Sequence, residues 1–173
     1  PEEERAEQQV GPTAEIKHIN TPQKNDNNLH HHLKPEDMLV KTYCAAVNGL
    51  EVTTVTIEVS LNRGVQYHLT GLGDEAVRES RDRIAAALQY SGFKFPVADI
   101  TINMAPADLR KEGSSFDLPL AIGILGANSN IIEDHLKEYM MVGELSLDGT
   151  LQPIRGALPI AIRARAEHFK GLI

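Results

Sequence analysis

The sequence predicts a fold in which hairpin-connected strands are combined with helices. One observation is the alternation of apolar and polar residues from Leu50 to Leu61, directly after the turn dipeptide Asn48-Gly49. A second is a helical pattern that follows Asp74, and a third is a continuous apolar run from Ser115 through Leu125. Strand and helix periods therefore occur within one stretch of chain.

Three strands are predicted ahead of the first helix. Met38 to Val47 is apolar-rich and should pair antiparallel with Leu50 to Leu61 through the Asn48-Gly49 turn. Val65 to Leu69 forms the third strand. The core-facing side of the second strand should carry four aliphatic residues: Val55, Ile57, Val59 and Leu61.

The first helix should begin after Asp74, its N-cap, and reach about Tyr90, with Gly92 just past its end. Its polar side carries arginines interleaved with acidic residues. These arginines are Arg78, Arg81 and Arg83. They form either a solvated face with ion pairs between neighbouring turns or a functional patch.

The second half of the chain continues the alternation of strands and helices. Val97 to Met104 is a strand, and the apolar run from Ser115 should be a buried helix that has Pro119 in its first turn. The remaining predicted elements are a hairpin of Tyr139–Leu147 and Thr150–Ile154 around Asp148-Gly149, a helix over Leu158–Phe169, and the opening of a strand at Gly171-Leu172-Ile173. We expect the sequence to be a fragment, since it stops within an element.

Charge and composition divide the chain in two. Residues 1–37 carry 4 basic and 8 acidic side chains with little apolar periodicity, and we expect an extension that is disordered or was added by cloning. Residues 38–173 carry 13 basic and 16 acidic side chains, a net charge of about −3, so any contact with DNA needs a local patch.

Composition also bears on compartment and cofactors. The one cysteine, Cys44, excludes an internal disulfide, lies in an apolar run typical of a buried inert thiol, and fits a cytoplasmic protein. No stretch approaches the roughly 18 apolar residues of a membrane span. The tract His30-His31-His32 is a weak metal candidate, and no Gly-x-x-x-x-Gly-Lys-Ser/Thr phosphate loop is present. We expect no metal and no cofactor in this part of the protein.

Ser115 is the strongest candidate for chemistry. Its setting, Lys111 to Leu120, resembles that of the nucleophile in Lon-type Ser-Lys peptidases, whose lysine base follows a Gly-Glu-x-x-Leu-x-Gly-x-x-x-Pro-Ile segment. Here that segment is Gly143 to Ile154, and the lysine position falls on Leu158, with a second on Ile160. The resemblance implies a Lon-like scaffold without peptidase chemistry, with Ser115 as a vestigial nucleophile.

Two other roles at this loop stay open from the residues alone. Gly113-Ser114-Ser115 either presents backbone N–H groups to an anion or caps the following helix, and the cap is favoured. Lys111 is the only lysine near Ser115 in sequence and is the candidate for an unconventional base. Asp117 should satisfy a backbone donor near the helix start.

Three stretches together resemble the N-terminal domain of the ComM/YifB family of magnesium-chelatase-like AAA+ ATPases, from about Met38 to Ile173. They are Gly71–Arg83 with Ser91–Pro96, Asn103–Pro119, and Gly143–Gly149 with Arg155–Pro159. The resemblance implies a Lon-protease-like α+β fold, a two-layer sandwich of a mixed sheet and helices that is shared with the second domain of a small-subunit ribosomal protein. It also implies an AAA+ domain after Ile173 that uses ATP and Mg, a homo-hexamer, and DNA branch migration during natural transformation.

The resulting hypothesis is a non-catalytic N-terminal module of a DNA-remodelling ATPase. Its DNA contacts would come from five basic residues: Arg78, Arg81, Arg83, Arg110 and Lys111. The alternatives are a Lon-like Ser peptidase with Lys111 as base and a regulatory protein-binding domain.

Overall fold

The computed structural model describes residues 39–49, 51–132 and 134–173, and both the 1–37 extension and Met38 lie outside them. A six-stranded mixed sheet has the order β3-β4-β2-β1-β5-β8, and β6 and β7 form a separate hairpin. The strands are β1 Leu39–Asn48, β2 Glu51–Asn62, β3 Tyr67–Thr70, β4 Asp99–Ala105, β5 Tyr139–Met140, β6 Glu144–Leu145, β7 Leu151–Gln152 and β8 Gly171–Leu172. The helices within the described residues are α1 Glu75–Tyr90, α2 Asp117–Ala127 and α3 Ala157–Ala166, and a 3₁₀ turn spans Leu136–Glu138. The α+β class is confirmed.

The β1–β2 hairpin forms the centre of the sheet, and its predicted antiparallel pairing is confirmed. The strands pair antiparallel from Leu39↔Ser60 to Asn48↔Glu51, and Gly49 takes the positive φ of 63° that a tight turn needs. The four aliphatic residues of β2 are all buried. On its other side β2 pairs antiparallel with β4, whereas β3 joins β4 in parallel.

Helix α1 begins and ends where its caps predict. The Asp74 carboxylate accepts a hydrogen bond from the Val77 N–H at 2.9 Å, and Gly92 lies beyond the last turn with a φ of 85°. Its buried stripe faces the core: Val77, Ser80, Ile84, Ala87 and Leu88.

Helix α2 is nearly all buried and packs on β1 and β2. Added to Gly123, a Cβ would lie 2.8 Å from Val59 Cγ2, so a glycine lets the helix approach the sheet closely. Thr42 Oγ1 donates to the Pro119 carbonyl at 2.9 Å across the same interface. The helix begins at Asp117, two residues later than predicted.

The predicted continuous strand Tyr139–Leu147 is wrong, because this segment changes partners. Only β5 joins the main sheet, parallel to both β1 and β8. The N–H groups of the next three residues, 141–143, donate in turn to the carbonyls of Tyr43, Ile173 and Ser115. The chain then forms the short β6–β7 hairpin around Asp148-Gly149, and that turn is confirmed.

Some boundaries also differ from the predictions. β3 and β4 each begin two residues later than expected. Helix α3 ends at Ala166 instead of Phe169, because the Phe169 N–H turns back to the Ala164 carbonyl and His168 adopts a φ of 62°. Among the described residues, no helix is long and apolar enough to cross a membrane.

Candidate functional site

Ser115 lies in the loop that leads into α2. It is half-buried, and its carbonyl accepts a hydrogen bond from the Gly143 N–H at 2.8 Å. Within the described part of the chain, its hydroxyl has no hydrogen-bonding base. A serine without a base remains a weak nucleophile.

The two positions where a Ser-Lys peptidase would carry lysines hold aliphatic side chains. Leu158 is 73% exposed on α3, whereas Ile160 is 2% exposed and belongs to the core. Neither side chain can accept a proton from Ser115.

Lys111 is fully buried, with 0% of its surface exposed. Its Nζ donates to Gly71 O at 2.6 Å, to Met104 O at 3.0 Å and to Pro106 O. These bonds use all three donors of the ammonium, and burial lowers the pKa of Lys111 below its ordinary value. The structure therefore removes Lys111 both from the DNA patch and from the role of base for Ser115.

Some of the neighbouring polar groups are also occupied. The Gly113 N–H donates to Asp74 Oδ2 at 3.0 Å, and the Leu118 N–H donates to the Gly143 carbonyl at 3.0 Å. The Ser114 hydroxyl donates to the Glu144 carboxylate. The N-cap of α2 is Phe116, which makes no side-chain cap hydrogen bond, so the prediction that Gly113-Ser114-Ser115 caps this helix is not confirmed. These bonds use the Gly113 N–H and the Ser114 hydroxyl but not the Ser114 and Ser115 N–H groups.

Asp117 and Arg83 form a buried pair behind this loop. Arg83 Nε donates to Asp117 Oδ2 at 2.7 Å and its NH2 donates to Oδ1 at 3.0 Å, while the Leu145 N–H donates to Oδ2 at 3.2 Å. Burial raises the pKa of the fully buried Asp117, and the Arg83 and Leu145 donors oppose that rise. The backbone donor that Asp117 satisfies belongs to Leu145 of β6 and not to the start of α2, where it was predicted. Asp117 also turns Arg83 away from the predicted DNA patch.

The remaining arginines do not form one patch. Arg78 and Arg110 line a groove of about 640 Å³ together with Leu72, Asp74 and Glu75. Arg110 pairs with Glu112 at 2.8 Å.

Arg81 lies on another surface. Its guanidinium carbon is 5.7 Å from the centroid of the Tyr67 ring and 5.9 Å from that of Phe95. Arg81 also lies 3.5 Å from the Asp82 carboxylate, so each of the arginines that remain exposed has an acidic residue nearby.

Other predictions about chemistry have simpler outcomes. Cys44 is fully buried, as predicted, and burial raises the pKa of its thiol to about 12, which disfavours the reactive thiolate. The tract His30–His32 lies outside the described residues. In the described part of the chain, no group of His, Cys, Asp and Glu could hold a metal ion.

Two features were missed by sequence reasoning. The destination of the Lys111 side chain has no signal in its polar loop. The sequence did contain a signal for the Arg83–Asp117 pair, because an aspartate inside an apolar helix needs a cationic or donor partner.

The comparisons with known proteins agree with this scaffold. Residues 57–173 match the family described as subunit ChlI of Mg-chelatase. Competence protein ComM of Haemophilus influenzae is 44% identical over 128 residues, which are 73% of this chain and 25% of ComM. YifB of Escherichia coli is 42% identical over 120 residues, 69% of this chain and 24% of YifB. Lon protease 2 of Bacillus subtilis is 27% identical over 157 residues, 78% of this chain and 28% of that protease. The chain thus spans about a quarter of the length of these relatives.

Proposed function

Because the chain belongs to the magnesium-chelatase ChlI-like family that includes ComM and YifB, we propose that it is a non-catalytic N-terminal module of an AAA+ ATPase that acts on DNA. The observation that carries the non-catalytic role is the missing base at Ser115. Leu158 and Ile160 occupy the lysine positions, and the Lys111 ammonium is held by three carbonyls.

The activity of the whole protein is proposed from its relatives. A relative named for competence supports a role in natural transformation, and we place that role in branch migration of recombination intermediates. ATP and Mg would bind in an AAA+ domain elsewhere in a longer chain, since this sequence contains no phosphate loop. Six such chains would form the working hexamer.

The contact of the module with DNA would be weak in a single copy. Arg78, Arg81 and Arg110 remain available to phosphates, but acidic residues share their surfaces. A ring that holds six copies raises the overall affinity through effective concentration, without any new contact. The module therefore supports the ring more than it selects the DNA.

A labelling experiment tests the non-catalytic role. The chain and its Ser115→Ala variant are incubated with a fluorophosphonate probe and with an unfolded protein substrate. We expect no labelling of Ser115 and no cleavage in either sample. Labelling that disappears in Ser115→Ala would support the peptidase alternative and overturn our proposal.

A salt series tests the DNA role in the full-length protein. We expect Arg78→Ala/Arg110→Ala to weaken binding to branched DNA and to reduce the slope of log K against log salt by up to about 2, roughly one unit for each lost phosphate contact. Arg165→Ala, an exposed arginine on α3, is the matched control. Equal binding by all three proteins would remove this groove as a DNA contact, and capture of a recombination protein instead would favour the regulatory alternative.

A further inference from the structure

Three main-chain carbonyls converge on one point inside the protein. The Gly71 carbonyl comes from the turn between β3 and α1, the Met104 carbonyl from the end of β4, and the Pro106 carbonyl from the loop that follows β4. The Lys111 ammonium occupies this point and donates to all three oxygens. We call the three carbonyls the carbonyl cage.

The carbonyl cage surrounds a buried charge with backbone dipoles, and the nearby Asp108 carboxylate adds an electrostatic interaction without a direct bond. Among the described residues, no carboxylate is bonded to the Lys111 ammonium, and its donors are used by Gly71, Met104 and Pro106. A cation removed from water costs several kcal/mol unless other groups replace its hydration shell. Carbonyl oxygens do this for dehydrated potassium in selective channels.

The close approach of the carbonyls depends on a glycine. Gly71 has a φ of 101°, and a Cβ added there would lie 2.1 Å from the Met104 carbonyl oxygen. Any other residue would hold the Gly71 and Met104 segments apart. The cage is therefore built into the backbone.

Backbone bonds place the lysine at the cage. The Lys111 N–H donates to the Leu72 carbonyl at 3.1 Å, and the Asp74 N–H donates to the Lys111 carbonyl at 2.9 Å. The segment before Ser114 is thus docked on the start of α1. As a result Arg110, the residue before Lys111, lines the same groove as Arg78.

We propose that the carbonyl cage is a monovalent-cation site which the chain fills with its own Lys111 ammonium, and that free ammonium, methylammonium or potassium ions occupy it once that side chain is removed. The tethered cation fastens the loop after β4 to the turn before α1. This role does not depend on ATP, DNA or the remainder of a longer protein.

Chemical rescue of a truncated lysine tests the proposal. The 173-residue chain and its Lys111→Ala variant are melted in the chlorides of ammonium, methylammonium, potassium and tetramethylammonium at equal ionic strength. We expect Lys111→Ala to melt at least about 5 °C below the original chain in tetramethylammonium. Ammonium or methylammonium should restore part of that loss, while the original chain responds alike to all four salts. Lys137→Ala, which removes an exposed lysine, should change nothing.

A variant that melts equally in all four salts would overturn the cation site. If Lys111→Ala does not fold, nitrogen-15 NMR of the original chain decides. A buried ammonium held by three acceptors exchanges its protons slowly, so one lysine Nζ resonance should be visible near neutral pH. If every lysine in the chain exchanges its ammonium protons as fast as free lysine does, the proposal is wrong.

Discussion

Replacing Arg83 by methionine decides whether this arginine stabilises the fold or contacts a ligand. The change removes the donors at 2.7 and 3.0 Å from Asp117, whose side chain is completely buried. Breaking a buried ion pair from one side costs about 3–5 kcal/mol, because the other charge stays unpaired. Since 22% of the Arg83 side chain is exposed and water can reach that end, we expect a loss near the lower limit, about 3 kcal/mol.

Replacing Asp117, the other member of the pair, should reduce the free energy of unfolding by less than replacing Arg83. In Asp117→Asn the amide oxygen still accepts a hydrogen bond, and the partly exposed Arg83 guanidinium keeps its contact with Glu79 at 3.9 Å and with water, so we expect a loss of about 1–3 kcal/mol. The double variant should lose less than the sum of the two single variants, with a coupling of about 0.5–3 kcal/mol, because both act on one pair.

Urea unfolding of the 173-residue chain measures these losses. Arg78→Met, an exposed arginine on the same helix, is the matched control and should stay within about 0.5 kcal/mol of the original chain. An Arg83→Met variant as stable as that control would refute the reasoning. It would return Arg83 to the list of DNA-contact candidates.

Two further predictions concern Cys44 and His168. Burial raises the pKa of Cys44 from 9.0 to about 12, so iodoacetamide should modify it at pH 8.5 only through unfolding. The stabilisation from the protonated thiol is complete below pH 9 and is lost as the pH rises toward 12. Unfolding free energy should therefore fall more steeply over that range than in Cys44→Ala, and equal slopes would contradict the shift. His168→Gly should stabilise the chain by about 0.5–1 kcal/mol, because its φ of 62° suits glycine. The control Arg165→Gly, within α3, should lose about 1 kcal/mol, and a loss in His168→Gly as well would contradict this account.

Features set by a few neighbouring residues could be predicted from the sequence. The Asn48-Gly49 turn determines the register of the β1–β2 hairpin, and the alternation that follows it determines which face is buried. Asp74 and Gly92 mark the ends of α1 because both caps act within one turn of the helix.

Features that depend on distant parts of the chain could not be predicted from the sequence. The segment after β5 bonds in turn to Tyr43, Ile173 and Ser115, and its own residues carry no sign of that change. Lys111 and Arg83 have the composition of a basic surface, yet their partners lie in other elements and draw them inward. For a long cationic side chain, the sequence predicts the charge but not whether the side chain points into the protein or toward solvent.

The position of β5 beside β1 has a consequence for synthesis of the protein. β1 is complete early, and its partner β2 follows it directly, but its other edge waits for Met140, about 100 residues later in the chain. At a synthesis rate of roughly 5–20 residues per second, that edge stays open for several seconds or more. Unpaired strand edges can pair with other chains. The nascent protein should therefore be most prone to aggregation before β5 emerges from the ribosome.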